Sequence, residues 1–223
     1  MEGSNQNNQN KKSKKSKSKK KSTSKSKKSK DSSKPVKTET VFSIYLGTYE
    51  GKIIVNNINI KTKENISNFS FTSSQNAIRT IYHKSGSLFV SGTDEVIHMF
   101  DVKRKVSEGD LMTYSGSIND IKINNNYLIV AGENNTIPIW RMSDFNNIIE
   151  LKGHKKAINS IIQLDNYKVV TSGDENNMIL WDLKDPEAKF FIEGHTNKVS
   201  GLAHIGGNKF VSVSQDKTLK VWE

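Results

Sequence analysis

One stretch of sequence decides the fold, and it occurs three times: Thr136-Ile-Pro-Ile-Trp140-Arg141, Met178-Ile-Leu-Trp181-Asp182 and Thr218-Leu-Lys-Val-Trp222-Glu223. The three tryptophans are spaced forty-one residues apart. A fourth copy, Val96-Ile-His-Met-Phe100-Asp101, carries phenylalanine in place of tryptophan, and a weaker fifth, Lys52-Ile-Ile-Val-Asn56, precedes it. A period of this length indicates that one structural unit is repeated along the chain.

Each unit is predicted to form four short antiparallel strands. β-Branched runs that fit a buried pleated sheet alternate with Asp, Asn and Gly residues that favour turns. In the fourth unit the strands are expected at 158–164, 168–173, 178–183 and 188–193. A period of about 40–45 residues that carries Gly-His near its start and ends in Trp-Asp is typical of WD repeats, which form β-propellers. We therefore predict an all-β WD-repeat β-propeller over residues 41–223, with units that end near residues 57, 101, 141, 182 and 223.

The number of units is smaller than in most propellers of this kind. Residues 41–223 hold about four and a half units, whereas closed propellers have about four to eight blades and we expect seven. The first unit begins with its second strand, at 41–47, and the last ends with its third strand. We expect the front part of a longer protein or a truncated gene model, and the alternative is that a partner completes the ring.

Residues 1–40 differ from the rest of the chain in charge. They carry fourteen lysines against three acidic residues, a net charge of +11, whereas residues 41–223 carry twenty basic and twenty acidic side chains. Between Lys11 and Lys30 the segment is almost entirely Lys and Ser. Such a composition cannot form a packed core, so we predict a disordered basic tail. Its lysine clusters contain Lys11, Lys12, Lys14, Lys19, Lys20 and Lys21.

Three functions of this tail stay open. It is a solubilising segment, a nuclear or nucleolar address, or a contact for RNA phosphates without sequence preference. The last two functions are compatible with each other. Arginine and aromatic residues are not interleaved in the tail, so recognition of RNA bases by the tail is not expected.

Composition also bears on the cellular compartment. The chain contains no cysteine, so disulfides and thiolate metal sites are excluded. The N-terminus lacks the apolar segment of a secretory signal, and no apolar run approaches the roughly 18–20 residues needed to span a bilayer. We expect a soluble intracellular protein without membrane contact.

Polar residues at fixed places in the last two units are expected to hold the blades together. The likeness to WD repeats implies a hydrogen-bonded set of His, Ser, Asp and Trp, in which the buried indole N–H finds an acceptor. In the fifth unit this set is His195, Ser212, Asp216 and Trp222. In the fourth unit it is His154, Ser172 and Trp181, with Glu175 in the Asp position.

The second and third units have lost most of this set. Phe100 replaces the tryptophan in the second unit, and Ser74 stands at its His position. The third unit keeps Trp140 but has Tyr114 and Ala131 at the His and Ser positions. It also places Pro138 in a strand, where a ladder donor is lost.

No catalytic, metal or cofactor site is predicted. His83, His98 and His204 lie in predicted strands without the spacing of metal ligands. The chain contains no His-Glu-x-x-His, Gly-x-Ser-x-Gly, Walker or GxGxxG motif. The recurring carboxylates suit turn formation better than acid–base catalysis. We expect neither an enzyme nor a small-molecule substrate.

Partners are expected at one rim of the propeller. This rim carries the turns between second and third strands and the loops that lead into the inner strands, and such loops vary without disturbing the sheets. Its charges have both signs, which suits protein partners better than a bare phosphate backbone. The candidate residues are Asp94, Glu95, Glu133, Lys155, Lys156, Asp174 and Lys198.

One region is more particular than a generic repeat. It comprises Leu88-Phe-Val-Ser-Gly-Thr-Asp-Glu-Val-Ile-His-Met-Phe-Asp-Val-Lys-Arg-Lys-Val-Ser-Glu-Gly-Asp110 and the following Leu111-Met-Thr-Tyr-Ser-Gly-Ser-Ile-Asn-Asp-Ile121. Together with the opening Leu46-Gly-Thr-Tyr-Glu50, it resembles the family of PAK-interacting WD-repeat proteins. The similarity runs from about residue 42 to residue 223. In one departure, the Lys-rich tail precedes the propeller here, whereas it follows the propeller in the family.

The resemblance implies a seven-bladed propeller that acts in nucleolar assembly of the large ribosomal subunit. Animal members of the family are also negative regulators of p21-activated kinase. We therefore expect a non-catalytic nucleolar scaffold for 60S biogenesis, with proteins of the pre-60S particle as partners and non-specific RNA contact by the tail. Two alternatives stay open: an adaptor that binds and restrains a p21-activated-type protein kinase, and a generic WD-repeat interaction scaffold.

Overall fold

The computed structural model describes residues 41–73, 75–112 and 116–223, which form eighteen β-strands in five antiparallel sheets. The predicted basic tail at residues 1–40 and two positions compared above, Ser74 and Tyr114, lie outside the described residues. Strands that are consecutive in sequence are neighbours in each sheet. Each sheet is therefore one blade of a propeller, and the predicted all-β class is confirmed.

The first two blades contain seven strands. Blade 1 consists of β1 (Val41–Gly47), β2 (Lys52–Asn59) and β3 (Glu64–Thr72). Blade 2 consists of β4 (Ile78–Lys84), β5 (Ser87–Gly92), β6 (Val96–Asp101) and β7 (Val106–Met112).

The other three blades contain eleven strands. Blade 3 consists of β8 (Ile118–Asn124), β9 (Tyr127–Gly132), β10 (Thr136–Arg141) and β11 (Asn147–Lys152). Blade 4 consists of β12 (Ile158–Gln163), β13 (Lys168–Gly173), β14 (Met178–Asp182) and β15 (Asp185–Ile192). Blade 5 consists of β16 (Val199–Gly206), β17 (Lys209–Ser214) and β18 (Leu219–Trp222).

The first strand of blade 1 holds the place of a second strand. The amide of Ile78, at the start of β4, donates to the carbonyl of Thr48 just after β1, at 3.1 Å. In the same way the amide of Val199, at the start of β16, donates to the carbonyl of Glu175 just after β13, at 2.9 Å. Since β13 is the second strand of blade 4, β1 is the equivalent strand of blade 1.

The outer strand of blade 4 begins earlier than the sequence predicts. Strand β15 begins at Asp185, because Asp185 pairs with Asp182 across a tight turn and the register shifts between Trp181 and Asp182. The strand therefore includes Pro186. Proline is tolerated in this position because the outer strand needs ladder donors on one side only.

The hydrophobic core lies between the blades rather than within one sheet. Between blades 3 and 4, Ile129 and Ile139 pack with Ile161 and Trp181, and the indole of Trp181 is only 1% exposed. Similar clusters lie between the other neighbouring blades. Each blade consequently depends on its neighbours for burial, as expected of stacked repeats.

Side chains on the inner strands also join the blades. Asp120 on β8 accepts the backbone N–H of Ile161 on β12 at 2.8 Å. Farther along the same strands, Gln163 donates to Asn124 at 2.9 Å, and Asn124 donates to the carbonyl of Asn166 at 2.9 Å.

In the described part of the chain, no helix has the length and apolar character required to cross a membrane.

Candidate protein-interaction rim

In blade 5, hydrogen bonds join the four residues that the sequence singles out. Trp222 Nε1 donates to Ser212 Oγ at 2.8 Å, and the same oxygen lies 2.7 Å from His195 Nε2. On the other side of the imidazole, Nδ1 lies 2.8 Å from Asp216 Oδ2. Asp216 also accepts from the hydroxyl of Thr218 at 2.6 Å. The bond from Thr218, together with those from His195 and two backbone amides, lowers the pKa of Asp216, so this carboxylate is ionised at neutral pH.

In blade 4 the hydroxyl comes from Thr171, and the predicted role of Ser172 is wrong. Trp181 Nε1 donates to Thr171 Oγ1 at 2.8 Å, and His154 Nε2 lies 2.7 Å from the same oxygen. Ser172 Oγ is buried without a hydrogen-bond partner in the described part of the chain. The reason is strand geometry: consecutive side chains point to opposite faces, so a displacement of one residue moves the hydroxyl away from the indole.

The glutamate of blade 4 binds backbone amides in preference to the histidine. Glu175 Oε1 accepts the backbone N–H groups of Lys155 at 2.5 Å and Lys156 at 3.0 Å. The same oxygen is 3.5 Å from His154 Nδ1, beyond the range of a strong hydrogen bond. Burial lowers the pKa of His154, although the charge of Glu175 opposes this effect.

Blade 3 keeps the tryptophan without its acceptor. Trp140 Nε1 is buried and has no hydrogen-bond partner among the residues that the structure describes. The residue equivalent to Thr171 and Ser212 is Val130, which has no hydroxyl, and not the predicted Ala131.

Blade 2 contains a polar cluster around the buried His98 that the sequence did not predict. His98 Nε2 lies 2.8 Å from Asp94 Oδ2, and His98 Nδ1 lies 2.7 Å from Asp110 Oδ1. Burial lowers the pKa of His98, but the hydrogen bonds and charges of the two carboxylates outweigh burial, and the pKa is raised. The sequence could have indicated this cluster only through the pairing of His98 with Asp110. That pairing depends on the register of β6 and β7. All three residues lie in the distinctive Leu88–Asp110 stretch.

Four of the predicted rim residues meet in one groove between blades 4 and 5. The groove has a volume of about 680 Å³ and contains Lys155, Lys156, Asp174 and Lys198. We call it the rim groove. Its other lining residues are Gly153, Glu175, Asn176, Asn177, Phe191, Thr196 and Asn197.

The remaining rim residues belong to other blades. The side chain of Asp94 is only 11% exposed and binds His98, so it is not available at the rim surface. Glu95 is exposed in the next turn position, with a φ of 63°. Glu133 pairs with Arg79 at 3.2 Å. Hydrogen bonds from Ser117, helped by Arg79, lower the pKa of Glu133.

A chain of side-chain hydrogen bonds leads from blade 2 to the rim groove. Arg79 donates to Asn119 at 2.7 Å, and Asn119 donates to Asn159 at 3.3 Å. Asn159 donates to Asp174 at 2.7 Å, and Lys198 reaches the same carboxylate oxygen at 3.3 Å. Arg79, Asn119 and Asn159 recur at intervals of forty residues. The chain therefore connects equivalent positions of blades 2, 3 and 4 and continues through Asp174 to Lys198 at the start of blade 5.

Comparison with known proteins agrees with this architecture. Residues 145–182 and 186–223 match the family described as WD domain, G-beta repeat. Protein MAK11 of Saccharomyces cerevisiae is 24% identical over 146 residues, which cover 54% of this chain and 35% of MAK11. The chain thus spans about a third of the length of this curated relative.

A solved structure shows the same fold. The computationally designed Ika8 protein superposes with a TM-score of 0.68 and 20% sequence identity, over 81% of this chain and 55% of that protein. At this identity the likeness concerns the fold alone. The five sheets form the blades of a β-propeller, and residues 145–182 and 186–223 within it match WD40 repeats.

Proposed function

We propose that this protein is a non-catalytic scaffold in nucleolar biogenesis of the large ribosomal subunit. The observation that carries the ribosomal part is the resemblance of residues 88–121 to the PAK-interacting WD-repeat family. The scaffold part is supported by the WD40 repeats, because propellers of this kind typically bind other proteins. The rim groove, which combines charges of both signs with an exposed phenylalanine, supports the same conclusion.

The lysines of residues 1–40 have a separate place in this proposal. They provide a nuclear and nucleolar address and a loose, salt-dependent contact with RNA phosphates. We expect deletion of residues 1–40 to remove nucleolar concentration of the protein in cells while the propeller keeps its fold. If nucleolar concentration survives this deletion, the tail is not the address.

The test is affinity purification of the tagged full chain from the fractions of a sucrose gradient. We expect the protein to sediment with large-subunit precursor RNA and ribosomal proteins. A light fraction that contains a protein kinase and no precursor RNA would instead support the kinase adaptor. Recovery of neither kind of partner, with other nuclear or cytoplasmic complexes in their place, would support a generic scaffold.

A further inference from the structure

We propose that the rim groove binds a partner-protein segment in which acidic residues flank an aromatic or large aliphatic side chain. This inference deepens the proposed scaffold function, since it names the chemistry of the partner and the surface that holds it. Two features of the groove support it: the charges and the apolar wall.

The positive charges of the groove are available to a ligand. Lys155 and Lys156 are exposed, and neither ammonium group has an ion pair or hydrogen bond within residues 41–73, 75–112 and 116–223. Two ammonium groups without ion pairs on adjacent residues attract carboxylates. This attraction is stronger in a groove than on a flat surface, because the concave wall excludes part of the solvent.

The carboxylates of the groove are already occupied. Glu175 is only 11% exposed and binds the backbone amides of Lys155 and Lys156. Asp174 accepts from Asn159 at 2.7 Å and from Lys198 at 3.3 Å. The groove therefore presents a positive potential to an incoming segment, although it contains acidic residues.

The apolar wall of the groove favours a peptide over a nucleic-acid backbone. Phe191 lies in the wall with 42% of its surface exposed, which provides an apolar contact beside the two lysines. The side chain of Asp174 is 41% exposed, so we expect the anionic groups of the segment to bind at Lys155 and Lys156 and not beside Asp174.

The experiment measures binding of a fluorescein-labelled peptide, Gly-Ser-Asp-Glu-Phe-Asp-Ser-Gly, to the full chain by fluorescence anisotropy. The Lys155→Glu/Lys156→Glu variant should weaken binding at least about tenfold, as loss of two close charge pairs predicts. The matched control is Lys61→Glu/Lys63→Glu, which makes the same change in net charge on a turn of blade 1 and should change affinity less than about twofold. Because both variants keep residues 1–40, background binding to those lysines is the same in each.

A second pair of variants tests the apolar contact. Replacing the phenylalanine of the peptide with alanine should weaken binding to the wild-type protein and have a smaller effect on the Phe191→Ala variant, because the contact is then already lost. The proposal is overturned if both double variants bind the peptide equally, or if the phenylalanine has no effect on binding to the wild type. It is also overturned if an oligouridylate of equal charge binds as tightly and loses as much affinity in Lys155→Glu/Lys156→Glu.

This result is separate from the result of the gradient experiment. If the wild type and Lys155→Glu/Lys156→Glu both sediment with precursor particles, the scaffold function stands and the groove is not its contact surface. If the peptide binds in the groove but the wild type is absent from those particles, the groove assignment stands and the ribosomal function fails.

Discussion

The residue ten positions before each tryptophan determines whether the indole N–H has a hydrogen-bond acceptor. Blade 5 has Ser212 in this position and blade 4 has Thr171, and each accepts the indole N–H at 2.8 Å. Blade 3 has Val130, and the N–H of Trp140 is left without a partner in the described structure. A buried donor that loses its partner destabilises a protein by about 1–3 kcal/mol.

Separate substitutions of two adjacent residues in blade 4 test the role of the Thr171 hydroxyl. Thr171→Val keeps the shape of the side chain but removes the acceptor for Trp181 and His154, so we expect the free energy of unfolding to fall by about 2 kcal/mol. Ser172→Ala removes a hydroxyl that has no partner and should change it by less than about 0.5 kcal/mol. Equilibrium unfolding in urea measures both. A larger loss for Ser172→Ala would restore the original assignment.

Two buried histidines should respond to pH in opposite directions. The pKa of His98 is raised above its ordinary value of 6.5, so its stabilising contribution is complete below that pH and is lost as pH rises through the folded-state pKa. Burial lowers the pKa of His154, so the folded state resists protonation and loses stability as pH falls below 6.5.

The measurement is the unfolding free energy of His98→Gln and His154→Gln between about pH 5.5 and pH 8.5. The deficit of His98→Gln relative to the wild type should be largest at the acidic end and shrink towards the alkaline end. The deficit of His154→Gln should shrink towards the acidic end. Parallel curves for the two variants would show that these environments do not perturb the histidines as described.

At the scale of the strands, the end of each second strand makes a close approach to the preceding loop. Asp174 donates its backbone N–H to Ala157 at 2.9 Å, which holds Gly173 against that loop. A Cβ atom at Gly173 would lie 2.1 Å from the carbonyl oxygen of Ala157. Backbone cannot move aside as the end of a flexible side chain can, so only glycine fits.

Gly173→Ala should therefore lower the free energy of unfolding by about 3 kcal/mol, the upper part of the usual range for overpacking. Gly201→Ala is the matched control, because its Cβ would lie at an ordinary 3.5 Å from Val213. We expect little change or a small gain from this control, since alanine has less conformational freedom in the unfolded chain. Thermal unfolding of both variants makes the comparison, and equal melting temperatures would contradict it.

Proline in a third strand shortens one ladder of blade 3. Strands β9 and β10 pair only from Ile139 with Ile129 to Arg141 with Tyr127, whereas β13 and β14 pair over five residues. Pro138 has no N–H and lies where the next pair would form. We expect Pro138→Val to raise the free energy of unfolding by about 1 kcal/mol, the net value of one hydrogen bond. Hydrogen exchange of the amides in β9 should slow at the same time, and unchanged exchange would show that the ladder is short for another reason.

At the scale of the whole molecule, contacts between blades replace a single central core. The apolar clusters lie between neighbouring blades, and polar contacts such as that of Asp120 with Ile161 cross the same boundaries. In a repeat protein the interfaces between neighbours set the cooperativity of unfolding. Loss of one interface should therefore change both stability and cooperativity.

Asp120→Ala tests this coupling. The carboxylate is 14% exposed, and its removal leaves the backbone N–H of Ile161 without its acceptor, so we expect a loss of about 2 kcal/mol and a smaller dependence of the unfolding free energy on urea concentration. Asp144→Ala is the control, since Asp144 contacts only Arg141 and Asn146 in its own loop in the described structure, and its removal should leave the urea dependence unchanged. Equal urea dependence in both variants would show that the two blades are not coupled through this bond.

Much of this architecture is local in origin and was therefore predictable from the sequence. The period of the repeated stretch predicts the number of units, and the turn residues between β-branched runs predict the limits of their strands. Both patterns depend on residues close together in the chain. The set of His195, Ser212, Asp216 and Trp222 could be named from the resemblance to WD repeats, since blade 5 keeps the usual residue at every position.

Other features depend on register and on the meeting of distant loops, which tertiary structure alone decides. Thr171, rather than Ser172, faces Trp181 because a one-residue change of register reverses the face of a strand. His98 meets Asp110 only once β6 and β7 are paired. The rim groove forms where the loops that enter β12 and β16 converge beside Phe191, and the positive potential at Lys155 and Lys156 arises there because the folded chain has already paired the neighbouring carboxylates.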